Sequence, residues 1–272
     1  MNNVNVSLCV VDGGVIGVAQ LDNVVYIHVH CAAESLVIMR FNARTHERLT
    51  DITVEGLRQP RDIAACQQTS VIYVADAAFV WRVSSGGGDV RRWLPKSPSN
   101  MFKPDTLSVT SSRLLVTSRD TSRLRQFDAI GDELRQVDLP RDMHPHHAVE
   151  LPAGTFVVSH YNRQLKQYQV SDVNIGGQVL RQFSGSRLLP LRLGDTPHMA
   201  VDSQGSIFVA DFGNRRILLL NSELTLRRVI IDEHQLKDKH KLERMCYSQQ
   251  SGHLLVVLQY GRVVVMFDVL RR

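Results

Sequence analysis

Histidine is the residue type whose placement in this chain could support metal chemistry. Two short segments place histidine directly after proline, Pro145-His146-His147 and Pro197-His198, and His144 and His160 lie close to the first of them in sequence. Imidazoles that converge on one point can hold a zinc ion, and a catalytic zinc site needs three protein ligands and an open position. Because only two segments carry Pro-His, the sequence predicts no metal site and favours hydrogen-bonded or solvated histidines; His147 and His198 are the alternative ligands.

Arginines interleaved with aromatic residues form a second set, which could bind a partner. The planar guanidinium of arginine pairs with phosphate, and aromatic faces stack on unpaired bases. The same residue types are enriched in protein interfaces, so these residues do not distinguish a single-stranded RNA partner from a protein partner. The predicted binding residues are Arg61, Arg119, Arg123, His147, Tyr161, Arg163, His198, Phe212, Asn214, Arg215, Tyr260 and Arg262.

Motifs of the common enzyme classes are missing from the sequence. It contains no GxSxG nucleophile elbow, no HExxH zinc motif, no phosphate-binding GxxxxGK[ST] loop and no EF-hand loop. We therefore expect a binding domain and not an enzyme, with no cofactor and no small-molecule substrate.

The composition indicates an ordinary globular protein with a moderate positive charge. With 43% hydrophobic and 22% charged residues, the 272-residue chain does not belong to the disordered, collagen-like or coiled-coil classes. Its 32 basic and 27 acidic residues give a formal net charge of +5, which permits attraction to nucleic acid or to acidic proteins without requiring it. The four cysteines are widely separated and are expected to be reduced thiols.

Hydropathy gives no sign of a membrane span. Apolar runs such as Val263–Phe267 are far shorter than the roughly 20 residues that cross a bilayer. The N-terminal residues lack the basic start and apolar stretch of a signal peptide. We expect a cytoplasmic protein, or a domain of a longer one, that has no membrane partner.

The elements that must position these residues are repeated along the chain. A β-rich run recurs and ends successively at Val29, Asp76, Ser118, His160, Asp211 and Leu258, in steps of 47, 42, 42, 51 and 47 residues. A second recurring position, occupied by apolar or aromatic residues, also shows its longest spacing between the fourth and fifth units. The common increase in spacing indicates an insertion there. Repeats of about 40–50 residues with several short strands are typical of β-propeller blades.

The repeat predicts a single all-β domain, a six-bladed β-propeller over residues 1–272. The sixth unit has only three strand-like segments, and an additional strand precedes the first unit, so we expect residues 5–11 to close the ring as the outer strand of the last blade. The predicted blades are approximately 12–54, 55–97, 98–140, 141–188, 189–236 and 237–272.

Function in a propeller usually lies at one end of the ring. There, the turns that lead into the innermost strands and the turns between second and third strands surround the channel. We call this end the upper rim and the opposite end the lower rim. The predicted binding residues fall in the turns of the upper rim, where loops on a rigid scaffold can carry function.

The fifth unit, DTPHMAVDSQGSIFVADFGNRRILLLN at Asp195–Asn221, closely resembles an NHL repeat. The second unit keeps Ile72–Asp76 of that pattern but has Ala77-Ala78 in place of the Gly-Asn turn. The whole resembles the six-bladed NHL propeller of tripartite-motif (TRIM-NHL) proteins. This resemblance implies a domain that selects targets through a protein or single-stranded RNA partner, because some members of the family bind RNA on this rim.

A second resemblance supplies the alternative function. The peptidylamidoglycolate lyase propeller of the peptide-amidating enzyme is similar to this architecture and implies zinc-binding histidines at the rim. In this chain the second and third units carry Pro60-Arg61 and Pro104-Asp105 where the fourth and fifth carry Pro-His.

Most of the repeated positions are interpreted as structural. Asp211 and Arg216 are predicted to stabilise the turn of the fifth unit, with Arg216 paired to an acidic or carbonyl group. Small residues are predicted on the innermost strands, which converge on a narrow axis: Ala19, Ala64, Ser108, Ala148 and Ala200. The polar stretch Asp232–Arg244 is predicted to be a solvated loop or one short helix.

Overall fold

Six four-stranded antiparallel sheets make up the structure, a computed structural model. The structure describes residues 4–7, 14–30, 37–96, 103–118, 120–186, 189–195, 198–232, 241–259 and 263–269. Among these residues there is no helix with the length and hydropathy of a membrane span.

The first three blades are each an antiparallel sheet of four strands that are consecutive in sequence. Blade 1 contains β2 (Gly14–Leu21), β3 (Val24–His30), β4 (Val37–Asn42) and β5 (Arg48–Thr53). Blade 2 contains β6 (Asp62–Cys66), β7 (Val71–Ala75), β8 (Val80–Ser84) and β9 (Val90–Leu94). Blade 3 contains β10 (Thr106–Thr110), β11 (Arg113–Ser118), β12 (Arg123–Phe127) and β13 (Glu133–Asp138).

The fourth and fifth blades follow the same order, with a short hairpin between them. Blade 4 contains β14 (Met143–Glu150), β15 (Phe156–Asn162), β16 (Gln167–Val173) and β17 (Val179–Phe183). The hairpin consists of β18 (Gly185–Ser186) and β19 (Leu189–Arg192). Blade 5 contains β20 (His198–Val201), β21 (Ile207–Asp211), β22 (Arg216–Leu220) and β23 (Leu226–Ile231), with one 3-10 turn at Phe212–Asn214.

The sixth blade joins the two ends of the chain. Its strands are β24 (Lys241–Tyr247), β25 (His253–Gln259), β26 (Val263–Asp268) and the N-terminal β1 (Val4–Ser7). β1 pairs antiparallel with β26, with Val4 opposite Phe267 and Ser7 opposite Val265. The predicted all-β, six-bladed fold, closed by an N-terminal strand in the last blade, is therefore confirmed.

The first strands of neighbouring blades contact one another in a closed ring, β2–β6–β10–β14–β20–β24 and back to β2. These six innermost strands surround the central channel. Since each blade is antiparallel, all six run from the upper rim to the lower rim, and the residues at their starts are gathered at one end of the channel.

The hydrophobic core is divided into six clusters, one between each pair of neighbouring blades. Between blades 1 and 2, for example, Tyr26 and Ile38 pack with Ile72 and Trp81. The Tyr26 hydroxyl also donates a hydrogen bond to the Ser85 carbonyl across this interface at 2.9 Å. The five predicted small residues all lie on innermost strands, and the four alanines are buried whereas Ser108 is half-buried: Ala19, Ala64, Ser108, Ala148 and Ala200.

The polar stretch Asp232–Arg244 differs in part from its prediction. Residues 233–240 lie outside the described residues, but Lys241–Arg244 form the start of β24. The prediction of a loop or helix up to Arg244 is therefore wrong at its C-terminal end, because Lys241, Leu242 and Arg244 pair with β25 in an innermost strand.

Candidate functional site

The central channel brings together polar side chains from four blades. Asp62 is the first residue of β6, His147 lies in β14, His198 is the first residue of β20 and Arg244 lies in β24. We call these four residues the channel cluster. Asp62, His147 and His198 are only 3%, 3% and 6% exposed, so the first three members are buried.

β-Bulges help to place two members of the channel cluster. β14 has a bulge between Pro145 and His147, and β24 has one between Leu242 and Arg244. A bulge inserts one residue into a strand, bends it and redirects the side chains beside it. The two bulges thus set the directions of His147 and Arg244 relative to the regular parts of their strands.

The Asp62 carboxylate is anchored by the neighbouring blade. Its Oδ2 accepts a hydrogen bond from the Leu107 backbone N–H at 2.8 Å, and its Oδ1 lies 3.8 Å from Nε of Arg244. Burial raises the pKa of Asp62 to about 6, and the Arg244 charge opposes that shift. Gly17 of β2 permits this close packing, because a Cβ at that position would lie 2.8 Å from Cγ2 of Ile63.

His147 and His198 stack on each other, with ring centroids 3.9 Å apart and the planes inclined by 31°. The His147 ring forms a hydrogen bond with the Leu107 backbone. Nδ1 of His147 and both ring nitrogens of His198 have no hydrogen-bond partner among the described residues. Burial lowers the pKa of His147 to about 3 and the pKa of His198 well below its usual value, with smaller contributions from the Arg244 charge. Both imidazoles are therefore neutral at physiological pH.

Three members of the channel cluster are close enough to share an ion. One potential ligand atom from each of Asp62, His147 and His198 lies within 4.8 Å of the other two. Imidazole nitrogen and carboxylate oxygen are the ligands that zinc and related divalent ions take in proteins. The residues present therefore fit a divalent metal ion.

A cavity of about 380 Å³ extends from the channel cluster along the innermost strands. Small or apolar side chains such as Ala64, Val109 and Met199 line its middle part. Exposed Gln67 and Gln249, in turns between first and second strands, line its other end, so the cavity opens at the lower rim. Its volume is within the range of about 300–1,000 Å³ that is typical of small-molecule sites.

The upper rim carries some of the predicted arginines on its surface. Arg61, just before β6, and Arg163, in the turn after β15, are exposed. Nη2 of Arg163 lies 3.3 Å from Nδ1 of His144. Arg123 is also exposed, but its Nε donates a hydrogen bond to Oδ1 of Asp138 at 2.7 Å.

The aromatic residue predicted in blade 4 packs against its own sheet. The Tyr161 ring meets the Tyr168 ring edge to face, with centroids 5.1 Å apart. Since Tyr161 and Tyr168 are opposite each other on paired strands, part of the Tyr161 surface is covered within the blade.

The turn after β21 in blade 5 is organised by Asp211. Nδ2 of Asn214 donates hydrogen bonds to the Asp211 carboxylate at 2.9 Å and to the Arg192 carbonyl at 2.7 Å. Arg215 follows in the left-handed region with φ 48°, and Phe212 is half-buried. Asn214 therefore has a structural role in this turn.

The structure changes the interpretation of several predicted binding residues. His147 and His198 are not on the upper-rim surface, because both are buried in the channel, where the structure brings them together. Arg119, Tyr260 and Arg262 lie outside the described residues.

Asp62 and Arg244 were not among the predicted site residues. Asp62 lies two residues after Pro60, and His147 lies two residues after Pro145, so position relative to the proline was a signal that could have indicated Asp62. Arg244 had no such signal, since it lies in a polar stretch that resembles a loop.

Comparison with known proteins shows the fold alone. No family model matches the chain, and no curated protein matches it. The WD40 β-propeller domain of Doa1 has a TM-score of 0.64 and 11% identity, over 98% of this chain and 96% of that one. A chain of the nidogen/laminin complex has a TM-score of 0.62 and 16% identity, over 82% of each chain. Streptogramin B lyase has a TM-score of 0.62 and 10% identity, over 95% of this chain and 94% of that one.

Proposed function

We propose that this propeller is a non-enzymatic recognition domain that binds a protein partner through its upper rim. The observation that carries the proposal is the exposure of Arg61 and Arg163 on the same rim of two different blades. Arginine is enriched in protein interfaces because its guanidinium makes several directed hydrogen bonds and stacks on flat groups.

The surroundings of the rim arginines favour a protein over RNA. Arg123 is paired with Asp138, and Lys103 is paired with Asp120 at 3.0 Å, so acidic groups offset part of the positive charge. Single-stranded RNA binding combines a continuous basic surface with aromatic faces on which bases stack. The contact of Tyr161 with Tyr168 leaves less of such a face available.

Two likenesses support a role in protein recognition. The resemblance of Asp195–Asn221 to an NHL repeat is consistent with the target-selecting role of this domain in TRIM-NHL proteins. A chain of similar fold is found in the nidogen/laminin complex, which supports the use of such a fold in a protein assembly.

The test is quantitative affinity capture with the full chain from RNase-treated extracts of cells that express it. We expect the double variant Arg61→Ala/Arg163→Ala to lose at least one partner protein that the wild type retains. For that partner, once purified, the dissociation constant should rise at least about tenfold, which corresponds to about 1.4 kcal/mol.

A matched control is Arg48→Ala/Arg91→Ala, which removes two exposed arginines from outer strands of blades 1 and 2. This control should retain the partner. Equal capture by the wild type and the rim variant would contradict the proposal. Capture of partners only from parallel extracts that were not treated with RNase, together with salt-steep binding to a random single-stranded RNA pool, would replace the protein partner with RNA.

The second candidate function is a metal-dependent enzyme of the lyase type. The observation that favours it is the closeness of Asp62, His147 and His198 at the end of a cavity. Such an enzyme requires first that the channel bind an ion, and this requirement can be tested without a known substrate.

A further inference from the structure

We propose that Asp62, His147 and His198 form a binding site for a divalent transition-metal ion such as Zn²⁺. This site would be built by blades 2, 4 and 5 around the channel axis and would be independent of a partner at the upper rim.

The first argument is the state of the buried imidazoles. Three ring nitrogens, Nδ1 of His147 and both nitrogens of His198, are buried without a hydrogen-bond partner among the described residues. A buried polar atom left without a partner costs about 1–3 kcal/mol. An ion that accepts one lone pair from each ring would remove part of this cost.

The second argument is the way in which the potential ligands are held. Leu107 contributes its backbone N–H to Asp62 and a backbone hydrogen bond to the His147 ring. Metal-binding histidines commonly use their second ring nitrogen in this way, because the bond orients the ring and selects its tautomer. The same residue of β10 thus positions both Asp62 and His147.

The third argument is distance. The three ligand atoms lie within 4.8 Å of one another, whereas ligands about 2.0–2.2 Å from a tetrahedral zinc ion are about 3.4 Å apart. To bind an ion, the His147 and His198 rings must therefore rotate so that their nitrogens come closer to each other and to the Asp62 carboxylate. Binding is therefore expected to disturb the present stacking of the two rings.

The charge around the cluster indicates an open site. Asp62 contributes one negative charge, and Arg244 lies 3.8 Å from it, so an ion would bring two uncompensated positive charges into a buried place. The cavity that reaches the lower rim supplies space for water, hydroxide or an anion at the remaining coordination position. Three protein ligands with an open position characterise catalytic zinc sites.

The test is metal binding by the full chain, first stripped with a chelator and then dialysed against Zn²⁺ or Co²⁺. The wild type should retain about one ion per chain by mass spectrometry, and Co²⁺ should give the visible absorption of a low-coordinate site. His198→Phe keeps a ring of similar size for stacking but removes both nitrogens. Loss of a residue that only hydrogen-bonds to a metal ligand typically weakens metal binding 10–100-fold. Because His198→Phe removes a ligand itself, it should weaken binding by more than this.

Two further variants make the result decisive. Asp62→Asn keeps the shape of the side chain and an acceptor for the Leu107 N–H, and it should also weaken binding at least about tenfold. His46→Asn removes a half-buried histidine between β4 and β5, outside the channel cluster, at a position with φ 63° that asparagine tolerates, and should bind the ion like the wild type.

Failure of the folded wild type to bind an ion would overturn the proposal and leave a pair of stacked neutral histidines. So would equal binding by the wild type, His198→Phe and Asp62→Asn. Because Arg61→Ala/Arg163→Ala leaves this site intact, failure of the metal proposal and failure of the partner proposal are distinguishable.

Discussion

At the residue scale, buried carboxylates stabilise the turns of two blades. Asp211 is fully buried and accepts hydrogen bonds from Nε of Arg216 at 2.6 Å and from the Gly194 N–H at 2.7 Å. Asp76 has the corresponding position in blade 2, where it accepts bonds from the Phe79 N–H and from Nε1 of Trp81. The acidic partner predicted for Arg216 is therefore found.

Removal of this carboxylate should be strongly destabilising. Asp211→Ala leaves the buried Arg216 guanidinium without its counter-charge, which typically costs about 3–5 kcal/mol. The free energy of unfolding, from urea titration, should fall by this amount.

The matched control replaces an exposed partner of an arginine. Asp138 is largely exposed where it pairs with Arg123, so Asp138→Ala should lower the free energy of unfolding by less than about 1 kcal/mol. Similar losses for the two variants would show that burial of the Asp211 pair does not determine its strength.

Acid should destabilise the protein through His160. His160 is fully buried, its Nε2 lies 2.8 Å from Oγ of Ser171, and burial lowers its pKa to about 4 despite the nearby charge of Asp142. The unfolded chain therefore binds the proton more readily, so stability is complete above about pH 6.5 and decreases as the pH falls towards 4.

The contribution of His160 can be isolated with a side chain that does not titrate. Between pH 7.5 and 4.5, the loss of unfolding free energy should be smaller in His160→Gln than in the wild type by about 2 kcal/mol. Urea titrations at the two pH values measure this difference. An identical loss in both proteins would contradict it.

At the element scale, the repeat length predicted the additional segment between blades 4 and 5. That segment contains the hairpin β18–β19, followed by a bridge between Tyr168 and Leu193. The bulges in β14 and β24 were not predictable, because MHPHHAVE and KLERMCY have no regular alternation of apolar and polar residues in which an inserted residue would stand out. They are the features that shape the channel cluster.

Deletion of residues 1–7 should destabilise the sixth blade. The deletion exposes the edge of β26, whose side chains from Val264 to Phe267 are buried, and an uncovered apolar edge promotes association between chains. We expect a lower melting temperature and a shift to oligomers in size-exclusion chromatography.

A synthetic peptide of residues 1–7 provides the control for this deletion. Added in excess, it should pair with β26 and restore part of the lost melting temperature, since a strand can be donated in trans. A deleted protein that melts like the wild type and remains monomeric would show that β1 is not needed to close the ring.

At the scale of the whole molecule, the blades depend on one another for burial. Each of the six core clusters is made by two neighbouring blades, so a single blade has no complete core. The ring therefore supplies a rigid frame with two separate surfaces. The upper rim offers exposed arginines to a partner, whereas the cavity opens at the lower rim and ends at the channel cluster.

The six blades, the closing strand and the structural role of the fifth-unit turn were all predictable from the amino-acid order. Apolar periodicity, turn residues and repeat length are properties of short stretches of sequence. Because each repeated unit can bury its faces only against neighbouring units, few folds other than a ring of blades remain possible. The placement of the predicted binding residues in upper-rim turns also follows from local sequence, since a turn residue is positioned by the strands on either side of it.

The channel cluster was decided by the tertiary structure. Asp62, His147, His198 and Arg244 are far apart in sequence, and they meet because ring closure directs the starts of several innermost strands to one axis. Burial then made the two histidines neutral and removed them from the rim surface, which favours the alternative role of His147 and His198 as metal ligands over their predicted role as partner contacts. Proximity across a closed ring depends on the geometry of all the blades together, and for that reason it cannot be read from any one repeat.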